Sequence, residues 1–135
     1  MLQREVAMNI IAVPNKMNIL SATFQAIAEI DLLFNVKPTS FIPSPKVTSS
    51  VLEFKFKDKS LISKDEFEKY FDFVVAAFSA PRKQIKNSLS LGLNISSESI
   101  ANELGDIGIA STRRPQTLTI PEWKLLFNSF KSTLY

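Results

Sequence analysis

The sequence contains no cysteine and no histidine, and it holds only three glycines. Without cysteine and histidine the chain offers no disulfide framework, no Cys/His zinc site and no histidine-based catalytic triad. None of the glycines follows a predicted strand in a glycine-rich turn, which is the usual mark of a nucleotide-type cofactor site. The acidic residues show no pairing that suggests general acid–base chemistry. On their own, the residues favour a basic, partly helical binding module.

Long apolar runs are also missing. No segment approaches the roughly 18 apolar residues that a membrane span needs. The first residues, 1–5, lack the charged-then-apolar order of a signal peptide. The composition, 45% hydrophobic and 21% charged, is that of a globular chain. We therefore expect a cytoplasmic protein with no membrane partner.

Seven of the sixteen lysines and arginines fall in two islands, although the net charge is only +3. Residues 81–90 contain no acid, and residues 111–135 contain a single acid, Glu122. The cations of the two islands are Arg82, Lys83, Lys86, Arg113, Arg114, Lys124 and Lys131. Ordinary solvated helix faces would explain such islands, and so would a surface that binds phosphate.

The front half predicts two helices and a pair of strands. Apolar residues at helical spacing predict a helix over Glu5–Val13, which Pro14 ends, and a short second helix over Leu20–Ile27. Alternating apolar residues then predict strands over Ile30–Val36 and Leu52–Phe56, paired antiparallel. A two-stranded sheet is not independently stable and leaves unpaired edges, so the front half reads as the end of a larger sheet.

The back half predicts a bundle of about four helices. Ser63 and Glu66 are placed as a capping box for the first of them. Its core-facing residues are predicted to be Phe67, Phe71, Val74, Val75 and Phe78. Pro81 is predicted to open the second helix and Gly92 to close it as a left-handed cap.

The last two helices also carry start signals. Ser96 is placed as the N-cap of the third helix, which ends near Gly105. Thr119 and Glu122 are placed as a capping box for the fourth, which runs to about Lys131.

The loop from Phe41 to Val47 holds an aromatic ring at one end and Lys46 near the other, with Pro43 and Pro45 between them. A rigid, exposed ring suits stacking on an unstacked base, and a lysine suits a nearby phosphate. The alternative is a structural loop whose Phe41 lies in the core.

The basic islands suggest phosphate contacts. At 100° per residue, Arg82, Lys83 and Lys86 fall on one arc of the predicted second helix, beside a bundle-facing arc that contains Ile85 and Leu89. These cations would either bind phosphate or simply keep that face soluble. Arg113 and Arg114 precede the last helix, where they could contact phosphate or pair with an acid, Asp106 or Glu103.

The order of the segments resembles the KsgA-type small-subunit ribosomal RNA adenine N6-dimethyltransferases. The most specific match is Phe41 to Ser49, which is similar to the family's F-x-P-x-P-K-V-x-S. Residues 1–6 resemble M-L-Q-K-E-V, residues 77–89 resemble A-F-S-Q-R-R-K-T-L-R-N-S-L, and residues 114–118 resemble R-P-E-T-L. Pro81 departs from the pattern, because the family has an arginine there.

The resemblance implies methyl transfer from S-adenosylmethionine to two neighbouring adenines of small-subunit rRNA, with each adenine turned out of its stack. It implies that Phe41 stacks on the flipped adenine and that Lys46 touches nearby backbone. The basic residues, Arg82, Lys83, Lys86, Arg113 and Arg114, would bind rRNA. The family's glycine-rich turn and its N-[L/I]-P-Y motif precede the part that this chain matches, and neither string occurs here.

The resemblance also predicts an α+β fragment. Residues 1–59 would be the incomplete end of a methyltransferase domain, with the last two antiparallel strands and a helix of a Rossmann-like sheet. Residues 60–135 would form an all-helical, rRNA-binding C-terminal domain. This chain alone would have no catalytic residue, bind no cofactor and be inactive. Its partners would be small-subunit rRNA or a pre-ribosomal subunit, and it could self-associate through exposed sheet edges.

Three alternatives stay open. The chain could be a non-catalytic RNA-binding or ribosome-assembly module. It could be a fragment of a macrolide-resistance methyltransferase, which shares the F-x-P-x-P-K-V loop and acts on large-subunit rRNA. It could also be a helical protein-interaction domain.

Overall fold

A computed structural model describes residues 1–57 and 62–134. These residues form a small antiparallel sheet and six α-helices, which confirms an α+β architecture. The strands are β1 (Leu2–Gln3), β2 (Ala28–Val36) and β3 (Ser49–Phe56). The helices are α1 (Arg4–Ile10), α2 (Ile19–Phe24), α3 (Phe67–Ala77), α4 (Ile85–Leu93), α5 (Ser97–Asp106) and α6 (Ile120–Leu134). The predicted division between residues 59 and 60 lies outside the described residues and stays a prediction.

The sheet has the order β1-β3-β2. The predicted antiparallel pair is confirmed as β2 and β3, whose register begins with Ala28 opposite Phe56 and ends with Val36 opposite Ser49. Strand β1 was not predicted, because two residues are too few to show a period of two. The middle of β2 is exposed on both faces, since consecutive residues from Asp31 to Asn35 are all exposed. A strand in the middle of a packed sheet would bury at least one of those faces.

Both front helices are shorter than predicted. Helix α1 ends at Ile10, and the side-chain amide of Gln25 donates to the carbonyl oxygens of Ile10 and Ala12, both at 2.8 Å. The chain leaves the helix before Pro14, whose ring disfavours helical geometry in the preceding residue. Helix α2 begins at a cap that the sequence reading missed, because the Asn18 side chain accepts from the backbone N–H of Ser21 while the Ser21 hydroxyl accepts from the backbone N–H of Asn18.

Helix α3 buries a face that overlaps the predicted one only in part, since among the predicted core-facing residues Val74 is buried and Phe78 packs on Trp123. Tyr70, Phe73, Val74 and Ala77 are the buried residues, whereas Phe71 and Val75 are exposed by 38% and 41%. Two apolar stripes run along this helix, and helical periodicity alone could not choose between them. The choice is made by tertiary contacts, since the Tyr70 hydroxyl donates to the carbonyl of Ala22 in α2 at 2.6 Å and its ring meets Phe127 of α6 edge-on. Burial raises the pKa of the Tyr70 phenol.

The predicted capping box at the start of this helix is wrong. The Ser63 hydroxyl hydrogen-bonds the Glu66 carboxylate and caps no backbone N–H, and a short 3-10 turn, Lys64–Glu66, precedes α3. Glu66 is instead paired with Lys131 of α6 at 3.1 Å, a contact that lowers the pKa of Glu66. Lys131 therefore binds the Glu66 carboxylate that a capping box would place on a backbone N–H.

The two later caps are confirmed. Ser96 accepts from the backbone N–H of Ser99 at the start of α5. Thr119 and Glu122 form the reciprocal pair of a capping box at the start of α6, with distances of 2.9 and 3.3 Å. A spacing of three residues was not sufficient for a cap, since Ser63 and Glu66 have the same spacing and form none.

The predicted bounds of α4 are wrong at both ends. Pro81 lies in a turn, and the helix begins at Ile85. The left-handed residue after the helix is Asn94, with φ 56°, whereas Gly92 lies inside α4. Gly92 is needed for a different reason: a Cβ there would lie 2.1 Å from the carbonyl oxygen of Ala76 in α3 and 2.6 Å from the Ser79 hydroxyl. This glycine permits the close approach of α3 and α4.

One buried cluster spans the bundle and reaches into the front half. Its members from the front half are Met17, Ala22 and Ala26, and its largest fully buried side chains are Trp123, Tyr70, Phe73 and Phe127. Helix α2 therefore packs on the helical bundle. Within the two described ranges, no helix is long and apolar enough to cross a membrane.

Substituting Gly92 and Gly105 with alanine should have opposite effects on stability. Gly92→Ala should lower the free energy of unfolding by about 1–3 kcal/mol, because the added methyl group overlaps the α3 backbone. Gly105→Ala is the matched control, since Gly105 is exposed in α5 with nothing within 4 Å of a Cβ, and it should raise stability by about 0.5–1 kcal/mol. Urea denaturation measures both. A neutral Gly92→Ala would contradict the close approach.

Candidate nucleic-acid interface

Cations from both basic islands line one open cavity. Arg82 and Lys83 lie in the turn between α3 and α4, and Arg114 lies in the segment that precedes α6. All three are exposed, and they line a cavity of about 660 Å³. The other lining residues are Gln84, Asn87, Ser90, Leu91 and Ser97. Three cations and no acid line this cavity, which we call the cationic cavity.

Backbone hydrogen bonds hold the two islands side by side. The first turn of α4 has N–H groups with no partner inside the helix. The N–H of Ile85 donates to the carbonyl of Arg113, and the N–H of Lys86 donates to the carbonyl of Ser111 at 3.4 Å. The segment before α6 thus caps α4 and brings Arg114 to the same surface as Arg82 and Lys83.

Lys86 was predicted to share a surface with Arg82 and Lys83, but it does not. The expected arc of Arg82, Lys83 and Lys86 on one helix is wrong, because only Lys86 is helical. Lys86 is half-buried and does not line the cationic cavity. The backbone turns before α4 because the buried Ser88 hydroxyl accepts from the N–H of Ala80 and donates to the carbonyl of Ala77. The expectation that Ile85 and Leu89 face the bundle is confirmed, since both are fully buried.

Arg113 has protein partners on all sides of its guanidinium. It forms a bidentate salt bridge with the Glu122 carboxylate, and its Nη2 also donates to the Thr117 carbonyl at 2.7 Å. Its Nε donates to the Thr117 hydroxyl at 3.3 Å. The alternative pairing with Asp106 or Glu103 is wrong, because Glu122 is the partner. This arginine shapes the turn that carries Arg114.

The same turn reaches the front half of the chain. The carbonyl of Gln116 accepts from the backbone N–H of Asn15 at 2.8 Å and of Met17 at 3.1 Å. Asn15 has a φ of 81°, which aims its N–H at this carbonyl from within the loop between α1 and α2. The segment 111–118 therefore contacts α4, α6 and the α1–α2 loop.

The proline-containing loop projects away from the core. Phe41 is half-buried and is not part of the buried cluster, so the alternative that placed it in the core does not hold. Ile42 and Lys46 are exposed, and the Ser44 hydroxyl donates to the Phe41 carbonyl at 3.2 Å. Phe41 and Lys46 do not line the cationic cavity. Any contact they make with RNA would be separate from it.

The residues present do not fit S-adenosylmethionine. Gly92 lies in α4, Gly105 lies in α5 and Gly108 follows α5, so no glycine follows a strand in a turn that could cradle the cofactor. Among the residues whose positions are described, no group of acidic side chains could hold a metal ion.

Sequence reasoning missed the polar and apolar lining of the cationic cavity. Asn87 and Leu91 are one turn apart on α4, a spacing that the sequence does contain. A leucine within a predicted helix gives no sign in the sequence that its side chain is exposed. In the structure, Leu91 is 64% exposed.

The chain was compared with known proteins. A family model described as ribosomal RNA adenine dimethylase matches residues 1–131. The chain belongs to this family. The ribosomal RNA small subunit methyltransferase A of Desulfitobacterium hafniense is 36% identical over 99% of the chain, and that of Listeria innocua is 37% identical over 95%. The aligned regions span 49% and 45% of those two relatives, so this rRNA adenine dimethylase chain covers about half their length.

Solved structures agree on the fold. A dimethyladenosine transferase from Plasmodium falciparum superposes with a TM-score of 0.79 at 18% identity, over 96% of this chain and 55% of that protein. The 23S rRNA methyltransferase ErmE superposes with a TM-score of 0.59 at 20% identity, over 96% of this chain and 52% of that protein. The predicted membership of an rRNA adenine dimethyltransferase family is confirmed by the family match.

The Arg113–Glu122 contact should make stability depend on pH in the acid range. The Arg113 hydrogen bonds hold the pKa of Glu122 below its ordinary value of 4.5, with a further contribution from the Thr119 N–H. A depressed folded-state pKa gives stability that is present above the unfolded value and is lost as the pH falls from about 4.5 through the lower folded value. Glu122→Gln should therefore lower the melting temperature at pH 7 more than at pH 3.

Glu98→Gln is the control for that experiment, because Glu98 is an exposed first-turn acid of α5 and lies outside this contact. Thermal melts at several pH values measure the difference. An equal loss for Glu122→Gln at both pH values would contradict the role of the ion pair.

Proposed function

We propose that this chain is the RNA-binding half of an rRNA adenine dimethyltransferase and that it binds small-subunit rRNA, free or in a pre-ribosomal subunit. The observation that carries the proposal is the cationic cavity, in which Arg82, Lys83 and Arg114 converge without an acid among the lining residues. Phosphate contacts by such cations supply most of the affinity in sequence-independent RNA binding. Membership of the ribosomal RNA adenine dimethylase family indicates that this RNA is ribosomal RNA.

Small-subunit rRNA is favoured over large-subunit rRNA. The curated relatives named above are small subunit methyltransferases, and the superposition is closer on the dimethyladenosine transferase than on the 23S rRNA enzyme. In complete relatives the reaction would be dimethylation of two adjacent adenines with S-adenosylmethionine as methyl donor. Residues 1–59 would be the end of the Rossmann-like methyltransferase domain, and residues 60–135 would be the rRNA-binding domain.

The chain on its own would not transfer methyl groups. Its glycines are placed where they cannot cradle the cofactor, and the N-[L/I]-P-Y string is absent from the sequence. Phe41 and Lys46 would meet a flipped adenine only when the rest of the pocket is supplied. The chain would therefore act in this form as a non-catalytic RNA-binding module. Its contribution to ribosome biogenesis would be to bind small-subunit rRNA.

RNA affinity should depend on salt and on the cationic cavity. A labelled small-subunit rRNA fragment that contains two neighbouring adenines, titrated by fluorescence anisotropy, should bind more weakly as salt rises. Alanine at Arg82, Lys83 or Arg114 should each reduce the log–log salt slope by about one. Lys55→Ala is the matched control, because Lys55 is an exposed lysine of β3 paired with Glu53.

Two results would contradict the proposal: binding that is insensitive to salt, or a loss for Lys55→Ala equal to that for the cavity variants. Methyl transfer to the same RNA from labelled S-adenosylmethionine should be undetectable. Turnover by the purified chain would overturn the inactive assignment.

We also infer that the exposed edge of β2 is covered by a second copy of the chain. Leu32, Leu33 and Phe34 are exposed by 38%, 51% and 56%, and β3 occupies only one edge of this strand. Two antiparallel copies of β2 related by a two-fold axis at Leu33, where the register with β3 shifts, would place Glu29 of each near Lys37 of the other. The same register pairs Leu32 with Phe34, so charges and apolar residues both match.

Size-exclusion chromatography with light scattering tests this pairing. The wild-type chain should be a dimer, and Leu33→Lys should be a monomer because it places two like charges face to face at the axis. Leu125→Lys is the control, since Leu125 is a comparably exposed leucine of α6, away from the sheet, and this variant should stay dimeric. A wild-type monomer at micromolar concentration would rule the pairing out.

A further inference from the structure

The cationic cavity contains an exposed leucine that phosphate binding does not explain. Leu91 is 64% exposed, whereas Ile85 and Leu89 of the same helix are fully buried. Leu91 lines the cavity together with Arg82, Lys83 and Arg114. A solvated cationic surface gains nothing from an aliphatic side chain, but an apolar side chain among cations offers a contact surface for the face of a base.

Carboxamides stand beside this leucine. Asn87 lies one turn before Leu91 on α4, and Gln84 is the residue that precedes the helix; both line the cavity. Each carboxamide has a donor and an acceptor, so it can read the edge of a base. Ser97, the first residue of α5, places the positive end of that helix at the cavity, which adds to the attraction for an anion.

We propose that the cationic cavity binds one unpaired, unstacked nucleotide of RNA, with its phosphate at Arg82, Lys83 and Arg114. The base would lie on Leu91, and its edge would meet Asn87 or Gln84. The volume of about 660 Å³ is within the range of pockets that hold small ligands. The inference rests on the proposed RNA binding and deepens it, because it names a single-stranded segment as the ligand of this cavity.

A duplex would use the cavity differently. Paired bases in A-form RNA are stacked inside the helix, and the deep, narrow major groove hides their edges from side chains. A duplex could present only its phosphates to the three cations. Leu91 therefore separates the two modes of binding, because only an unpaired base can reach it.

The test compares three labelled probes by fluorescence anisotropy: a six-nucleotide single-stranded RNA, the same strand with abasic riboses, and a twelve-base-pair RNA duplex. Leu91→Ser should weaken binding of the single strand about five- to tenfold and leave the duplex unchanged. The abasic strand should bind the wild-type chain at least as weakly as the full strand binds Leu91→Ser, because it also lacks the base edge that Asn87 or Gln84 would contact. Because Leu91 is exposed, the substitution leaves the core intact.

Leu125→Ser is the matched control, since Leu125 is 50% exposed on α6 and does not line the cavity, and it should bind all probes like the wild type. Leu91→Trp should strengthen single-strand binding by offering a larger stacking surface. If Leu91→Ser weakens the duplex and the single strand equally, or weakens neither, the nucleotide site is overturned while RNA binding itself stands. If the wild-type chain binds no probe in a salt-dependent way, both proposals fail.

Discussion

Residues 111–118 form hydrogen bonds with three parts of the chain, which also contribute side chains to the buried cluster. Carbonyl groups of Ser111 and Arg113 accept from the first turn of α4, and the carbonyl of Gln116 accepts from the loop between α1 and α2. The segment keeps its shape because Arg113 is bound to both the Glu122 carboxylate and the Thr117 carbonyl. A guanidinium suits this task because its planar set of donors can satisfy a carboxylate and a carbonyl at once.

The cationic cavity follows from that arrangement. Arg114 is held beside Arg82 and Lys83 by its neighbour Arg113, whose half-buried side chain is paired with Glu122 and does not line the cavity. Two adjacent arginines thus have different tasks, since one is bound to protein groups and the other is exposed at the cavity. The division is physically sensible, since a cation that is already paired has little left to offer a phosphate, whereas an exposed and unpaired one attracts it strongly.

The sheet presents the opposite situation. The middle of β2 is exposed on both faces, although Leu32, Leu33 and Phe34 are apolar, and within the described residues β3 is the strand that pairs with it. The bundle, by contrast, closes around Trp123, Tyr70 and Phe127, and it takes in α2 from the front half. The largest buried side chains therefore lie in the helical part, whereas the middle of β2 is exposed.

Local features were predictable from the sequence, and features that depend on distant partners were not. The caps at Ser96 and Thr119 and the antiparallel pairing of β2 with β3 follow from residues close together in the chain or from a period of two. The face of α3 did not follow, because Phe71 and Phe73 lie on two apolar stripes and only contacts with α2 and α6 select one of them.

Gly92 shows the same limit. A glycine near the end of a helix suggests a left-handed cap. Gly92 is needed instead because the backbone of Ala76 in α3 leaves no room for a Cβ. Similarly, no rule of spacing could tell that Arg113 is enclosed by Glu122 and Thr117 while Arg114 is exposed.

The sequence by itself determined the family, through motifs in their order, and the pattern of most helices and strands. Only the tertiary structure decided which cations share a surface and which leucine is exposed among them. It also decided which side chains stabilise the fold through hydrogen bonds and ion pairs. The physical reason is that periodicity and capping act over a few residues, whereas a binding surface is made by segments that the folded chain brings together.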